Sequence, residues 1–246
     1  MRTVRFGWVC LLGLVVTAGC QPTQERMVSQ LGPAKPIVTA SIANLGWSRA
    51  GTEIQSASFT AIVTTYDEAG KSFTDRQTMV VDLAKVTITA TGGTPQGTWT
   101  AQVDDHGQFD VQADKAVDAA AVRKRMAPAL RALLRRVRGP YNILGDERPR
   151  TVESVRVAGQ DAVRVSLGTG TPEAVAYYFD ASTAILKYVT TGADRPAAKG
   201  TITEYQYQSM PNGVLFPSRI KVAHLGQFVL IGEKPILEVE ISEVTF

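Results

Sequence analysis

Ser56-Ala57-Ser58-Phe59-Thr60-Ala61-Ile62-Val63-Thr64 decides the fold of this 246-residue chain. Ala57, Phe59, Ala61 and Val63 alternate with Ser58, Thr60, Ile62 and Thr64. Successive side chains on a strand point to opposite faces, so a period of two places one apolar face against a core. The pattern recurs where Trp99, Ala101 and Val103 alternate with Thr98, Thr100 and Gln102, and where Val163, Val165 and Leu167 alternate with Arg164 and Ser166. Further strands are predicted over residues 72–81, 84–90, 107–111, 153–158, 174–179, 184–191, 199–209, 213–224 and 235–246. Turn residues separate them: Glu68-Ala69-Gly70, Asp105-His106-Gly107, Ala158-Gly159, Asp180-Ala181-Ser182 and Pro211-Asn212-Gly213. Connections this short fit antiparallel neighbours, since a parallel crossover needs a dozen or more residues. The expected fold is mainly β (α+β): one large, strongly curved antiparallel sheet of about 9–11 strands.

One segment has a different period. From Asp114, a plausible N-cap, to Arg138, the residues Val122, Met126, Leu130, Leu133, Leu134 and Val137 share one helical face, and Gly139-Pro140 ends the run. Pro128 lacks a backbone donor and is expected to kink this helix or begin a second one. Lys124, Arg131, Arg135 and Arg138 lie opposite the apolar stripe. They read as a solvated face whose terminal arginines suit the helix dipole; contact with acidic headgroups or an acidic partner is the rival reading.

The N-terminus carries an address. Arg2 and Arg5 precede an apolar stretch from Phe6 to Val16, and Thr17-Ala18-Gly19 leads into Cys20. This is the pattern of a bacterial lipoprotein signal peptide over residues 1–19, too short to span a bilayer. By analogy with lipoproteins as a class, Cys20 is the lipidation site, taking a diacylglycerol group and then a palmitate-type acyl chain on its freed amine. Gln21 in the next position resembles a sorting signal for the outer membrane, facing the periplasm. Residues 20–36 then read as the lipidated cysteine and a flexible tether, with a possible helical turn around Met27 and Leu31, and residues 37–246 as one domain.

Composition excludes several functions. Loss of residues 1–19 removes two arginines, so the formal charge falls from +3 to +1, which makes no case for nucleic acid. Of the two cysteines, Cys10 leaves with the signal and Cys20 is acylated, so no disulfide is expected. The chain has no GxSxG elbow, GxxxxGK[ST] phosphate loop or HExxH pair. His106 and His224 are its histidines, and Asp104-Asp105-His106-Gly107 reads as a polar hairpin turn in preference to a metal or proton-transfer site. Gly92-Gly93 and Gly168-Thr169-Gly170 lack a helix-opening context and read as loops. No enzymatic activity, cofactor or metal is expected.

Residues from about Ile37 to Phe246 resemble the LolA/LolB lipoprotein-carrier superfamily. Ile42-Ala43-Asn44-Leu45 followed by Ser56-Ala57-Ser58-Phe59-Thr60-Ala61 is similar to its first helix and first strand. Ala176-Tyr177-Tyr178-Phe179-Asp180 with Leu186-Lys187, and Pro211-Asn212-Gly213-Val214-Leu215-Phe216-Pro217-Ser218-Arg219-Ile220, resemble its later strands and late hairpin. The resemblance implies a half-barrel closed by the amphipathic helical insertion, with acyl chains bound in an apolar cavity between sheet and helix. The cavity candidates are Phe59, Trp99, Met126, Leu130, Leu133, Val165, Tyr177 and Phe179. The implied function is a membrane-anchored, non-enzymatic envelope lipoprotein that binds lipid or lipoprotein acyl chains. A structural or interaction module of the cell envelope with a filled core and no lipid ligand remains the alternative.

Overall fold

A computed structural model describes residues 31–49, 52–144, 146–171, 173–192, 200–225 and 232–246. The signal segment, Cys20, Met27 and most of the tether lie outside the described residues. Leu31 opens the packed chain, wholly buried, and leads through a 3-10 turn at Gly32–Ala34 into helix α1, Lys35–Leu45. Residues 31–36, within the stretch read as tether, are therefore ordered here, with Leu31 and Ala34 in the core. Gly46 stops α1 in the left-handed region at φ 73°, its N–H donating to the Ala43 carbonyl, a conformation that favours glycine. A two-stranded hairpin follows, β1 (Ser48–Arg49) with β2 (Thr52–Glu53).

The body is a single antiparallel sheet. Its first half is β3 (Ser56–Tyr66), β4 (Ser72–Asp82), β5 (Thr87–Thr94), β6 (Gly97–Asp104) and β7 (Phe109–Ala113). Its second half is β8 (Arg150–Val157), β9 (Gln160–Leu167), β10 (Val175–Asp180), β11 (Leu186–Thr191), β12 (Thr201–Ser209), β13 (Leu215–Leu225) and β14 (Gly232–Thr245). The spatial order is β7-β6-β5-β4-β3-β14-β13-β12-β11-β10-β9-β8, so two meanders meet where β3 pairs with β14 and the sheet remains open between edges β7 and β8. Twelve strands form it, against the 9–11 expected. Each of the twelve runs read from the sequence overlaps one of these strands, Phe109–Ala113 at the edge included, so the total was set too low although every strand had a counterpart.

Curvature follows from the core. Twelve flat strands about 4.8 Å apart would stretch roughly 50 Å, yet Val103 on β6, Ala61 on β3, Val239 on β14, Tyr205 on β12, Leu186 on β11 and Leu167 on β9 belong to one buried cluster. The sheet must curl to bring those faces together. A separate small cluster, Val157, Ala162 and Tyr178, sits apart from it on β8–β10. Val163 shares the face of Val165 but is only half-buried and lies outside the main cluster, so the apolar alternation of β9 does not seal every one of its residues in the core.

Helix α2, Ala119–Arg138, carries the chain from edge β7 to edge β8. Its stripe of Val122, Met126, Leu130, Leu133, Leu134 and Val137 is buried in the main core, as the periodicity predicts. Its N-cap is Asp118, not Asp114: the Asp118 carboxylate accepts from the Ala120 and Ala121 N–H groups at 2.9 and 3.1 Å. Asp114 is committed elsewhere, accepting from the backbone N–H and hydroxyl of Thr98 at 2.7 and 3.0 Å. Pro128 does not divide the helix. Its missing donor is tolerated because Lys124, four residues earlier, lies on the exposed face, where water can satisfy the freed carbonyl.

Candidate functional site

The strands tie α2 down along its first half. Arg125 pairs with Asp75 of β4 at 2.9 Å, and Arg123 donates to the Phe109 carbonyl of β7 at 2.9 Å while lying over the Phe109 ring. The buried Gln77 of β4 donates to the Met126 sulfur at 3.6 Å, and Arg131 donates to the Gly107 carbonyl in the β6–β7 turn. Beyond that turn the helix leaves its neighbouring strands and crosses toward the other half of the sheet. A groove of about 990 Å³ opens there, between the second half of α2, the Asp104–Gly107 turn and strands β10–β12.

The groove has two chemistries. Pro128, Ala132, Leu134, Val175, Tyr177, Val189 and Tyr205 provide apolar lining, while Arg131, Arg135, Arg136, Arg138 and Arg148 face it with three aspartates, Asp104, Asp105 and Asp146. Asp146 is already used: it accepts three hydrogen bonds from the Arg148 guanidinium, the shortest 2.6 Å. Burial opposes ionisation of Asp146, but the side-chain and backbone bonds from Arg148 outweigh it and hold the carboxyl below its usual range. The side chain of Asp104 caps its own turn by accepting from the Gln108 N–H at 2.8 Å. Asp105 lies 3.5 Å from the exposed His106 imidazole.

That leaves the last turn of α2. Arg136 donates through Nε to the Thr203 hydroxyl of β12 at 3.1 Å, and among the described residues no carboxylate pairs with Arg135, Arg136 or Arg138 within 4.0 Å. Burial pushes the Arg136 guanidinium below its usual pKa, with neighbouring Tyr205 opposing and Arg135 adding to the shift. Burial acts the same way on Arg138, opposed by Asp105 and Tyr177. A guanidinium nevertheless stays charged at any physiological pH. Burial also raises the phenols: Tyr177 is pushed up to about 12, and Tyr205 and Tyr207 rise well above the ordinary tyrosine value. All three keep their protons and remain hydrogen-bond donors.

The eight cavity candidates do come together, but as core. Phe59, Trp99, Met126, Leu130, Leu133, Val165 and Phe179 are each 2% exposed or less and belong to the main buried cluster, and none of the seven lines the groove. Tyr177 belongs to the cluster and also lines the groove. The basic helix face is not simply solvated, since Arg131, Arg135 and Arg138 all turn toward the groove. Arg136 and Thr203 were not singled out by the sequence. Arg136 could have been, because it directly precedes Val137 at the border of the apolar stripe. Asp104-Asp105-His106-Gly107 forms the β6–β7 turn, and among the described residues no group of three His, Cys, Asp or Glu side chains could hold a metal. Among the same residues no helix is long and apolar enough to cross a membrane.

The fold is similar to that of a solved LolA superfamily protein. A LolA superfamily protein from Nitrosomonas europaea superposes with a TM-score of 0.51 at 12% identity, over 86% of this chain and 92% of the other. A putative outer membrane lipoprotein-sorting protein domain from Vibrio parahaemolyticus gives 0.50 at 11% identity, over 87% and 93%. No protein-family model matches the chain. No curated protein matches it in sequence.

Proposed function

We propose that this chain is a non-enzymatic carrier-type binding protein of the bacterial envelope, holding a lipid or lipoprotein acyl chain in the groove between α2 and β10–β12. The observation that carries the reading is the groove itself: about 990 Å³, with apolar residues from one helix and three strands on its walls. Ligand sites of drug-sized molecules occupy about 300–1,000 Å³, and burial of hydrocarbon contributes about 25 cal/mol per Å² without any catalytic group. The shared fold with a putative lipoprotein-sorting domain supports the same class of ligand. Anchoring belongs to the proposal: Cys20 carries the acyl chains that hold the body at the outer membrane, facing the periplasm. Metabolic labelling with a palmitate analogue should mark the protein, and Cys20→Ser should abolish the mark; labelling that persists in the variant refutes the anchor.

The ligand is tested by native mass spectrometry of the purified chain after exposure to phospholipid and to acylated peptide. Ala132 lines the groove, so Ala132→Trp plugs it. Saturable binding that disappears in the folded variant supports the reading. Absence of binding to the unaltered chain refutes it and leaves the second reading, an envelope interaction module. One observation favours that alternative: seven of the eight residues expected to line an apolar cavity are packed in the core.

A further inference from the structure

The end of α2 is more charged than a groove for hydrocarbon requires. Arg135, Arg136 and Arg138 fall within one helical turn, and all three face the same cavity. A helix C-terminus favours cations, and that accounts for an exposed Arg135 in the last turn. It does not account for Arg136, which is half-buried against β12 with the neutral Thr203 hydroxyl as its hydrogen-bond acceptor and no carboxylate partner among the described residues. Removing a guanidinium from water is costly unless an anion compensates. Of the three acids on the groove, Asp146 is held by Arg148 and Asp104 caps its own turn, while Asp105 acts on Arg138 and not on Arg136. Two protonated phenols, Tyr177 and Tyr205, stand on the same cavity wall as further donors.

We propose that Arg135, Arg136 and Arg138 form a subsite for the phosphate group of an amphiphilic ligand whose hydrocarbon lies along Pro128, Ala132 and Val175. Guanidinium groups offer paired N–H donors that match phosphate oxygens, so a phosphate esterified to a single chain satisfies the charge while its tail follows the apolar wall. The proposal rests on the carrier reading and adds the chemistry of the headgroup. Its recognition is electrostatic and therefore weakens with added salt.

Isothermal titration of the purified chain with dodecyl phosphate, dodecyl maltoside and inorganic phosphate tests it. Dodecyl phosphate should bind more tightly than either other probe. Arg136→Gln and Arg135→Gln should each weaken it by about tenfold or more, as expected for loss of one charge-assisted hydrogen bond. Arg156→Gln, at an exposed ion pair with Asp161 remote from the groove, should leave the affinity unchanged. Because Arg135 is exposed, its variant keeps the test valid if Arg136→Gln fails to fold, with folding checked by thermal unfolding. Dodecyl phosphate and dodecyl maltoside binding equally, with no effect of the arginine variants, overturns the subsite but leaves the acyl carrier standing. Inorganic phosphate binding as tightly as dodecyl phosphate, and losing affinity in the same variants, keeps an anion site but overturns the amphiphile. Binding of none of the three overturns both.

Discussion

Leu130→Ala measures whether the space between α2 and the sheet is packed. Leu130 is wholly buried in the main core. The substitution removes three carbons, which at about 0.8 kcal/mol for each buried group gives roughly 2.4 kcal/mol of lost transfer energy. A cavity that cannot collapse adds to this, and the total for such replacements reaches about 5 kcal/mol. Here collapse is resisted, because α2 is held on either side of Leu130 by Arg125 to Asp75 and by Arg131 to the Gly107 carbonyl. Urea unfolding followed by far-ultraviolet circular dichroism reads the effect. With a slope of about 2 kcal/mol per M, the midpoint should fall by about 1–2.5 M at unchanged slope. A loss below about 1 kcal/mol would refute the packed-core account and mean that Leu130 borders open space instead.

Gly92 lies in β5 opposite Trp99, and a Cβ there would stand 2.4 Å from the indole Cζ2. Gly92→Ala should therefore displace the buried Trp99, destabilising the protein by about 1–3 kcal/mol and shifting tryptophan emission to the red; unaltered emission and stability would contradict the close approach. Asp118→Ala removes the two N-cap bonds of α2 and should cost about 1 kcal/mol, whereas Asp114→Ala should alter the Thr98 hairpin end without lowering helicity. Asp180 is held down to about 2, first by the Ser182 hydroxyl and then by the Thr183 N–H. A carboxyl depressed on folding stabilises the native state above its unfolded value near 3.8 and loses that contribution as the pH falls through about 2. Asp180→Asn should thus reduce the difference in urea midpoint between pH 5 and pH 2, and an identical difference in variant and unaltered chain would refute the assignment.

The local patterns were legible wherever a single element determines its own faces. Alternation at Ala57, Phe59, Ala61 and Val63 placed all four in the core, and the α2 stripe was buried residue by residue. Turn residues were equally direct: Gly159 at φ 81° and Gly213 at φ 75° adopt backbone that glycine favours. The helix start was misplaced because two aspartates, Asp114 and Asp118, precede the same apolar run. Which one caps depends on Thr98, sixteen residues back on another strand.

By itself the sequence determined the strands of the main sheet, the amphipathic stripe of α2 and the sheet's one apolar face, because side-chain periodicity is a property of neighbouring residues. Tertiary structure alone decided that β3 meets β14 at the centre of the sheet, and so that α2 must cross from one edge to the other. It also separated filled core from open groove. Leu130 and Ala132 are two residues apart on one helix, yet the first is sealed inside and the second lines a cavity. Arg136 faces Thr203 across 67 residues of sequence, a meeting produced by strand order. No local pattern encodes which distant strand a side chain will meet, since that depends on how the whole sheet pairs and curls.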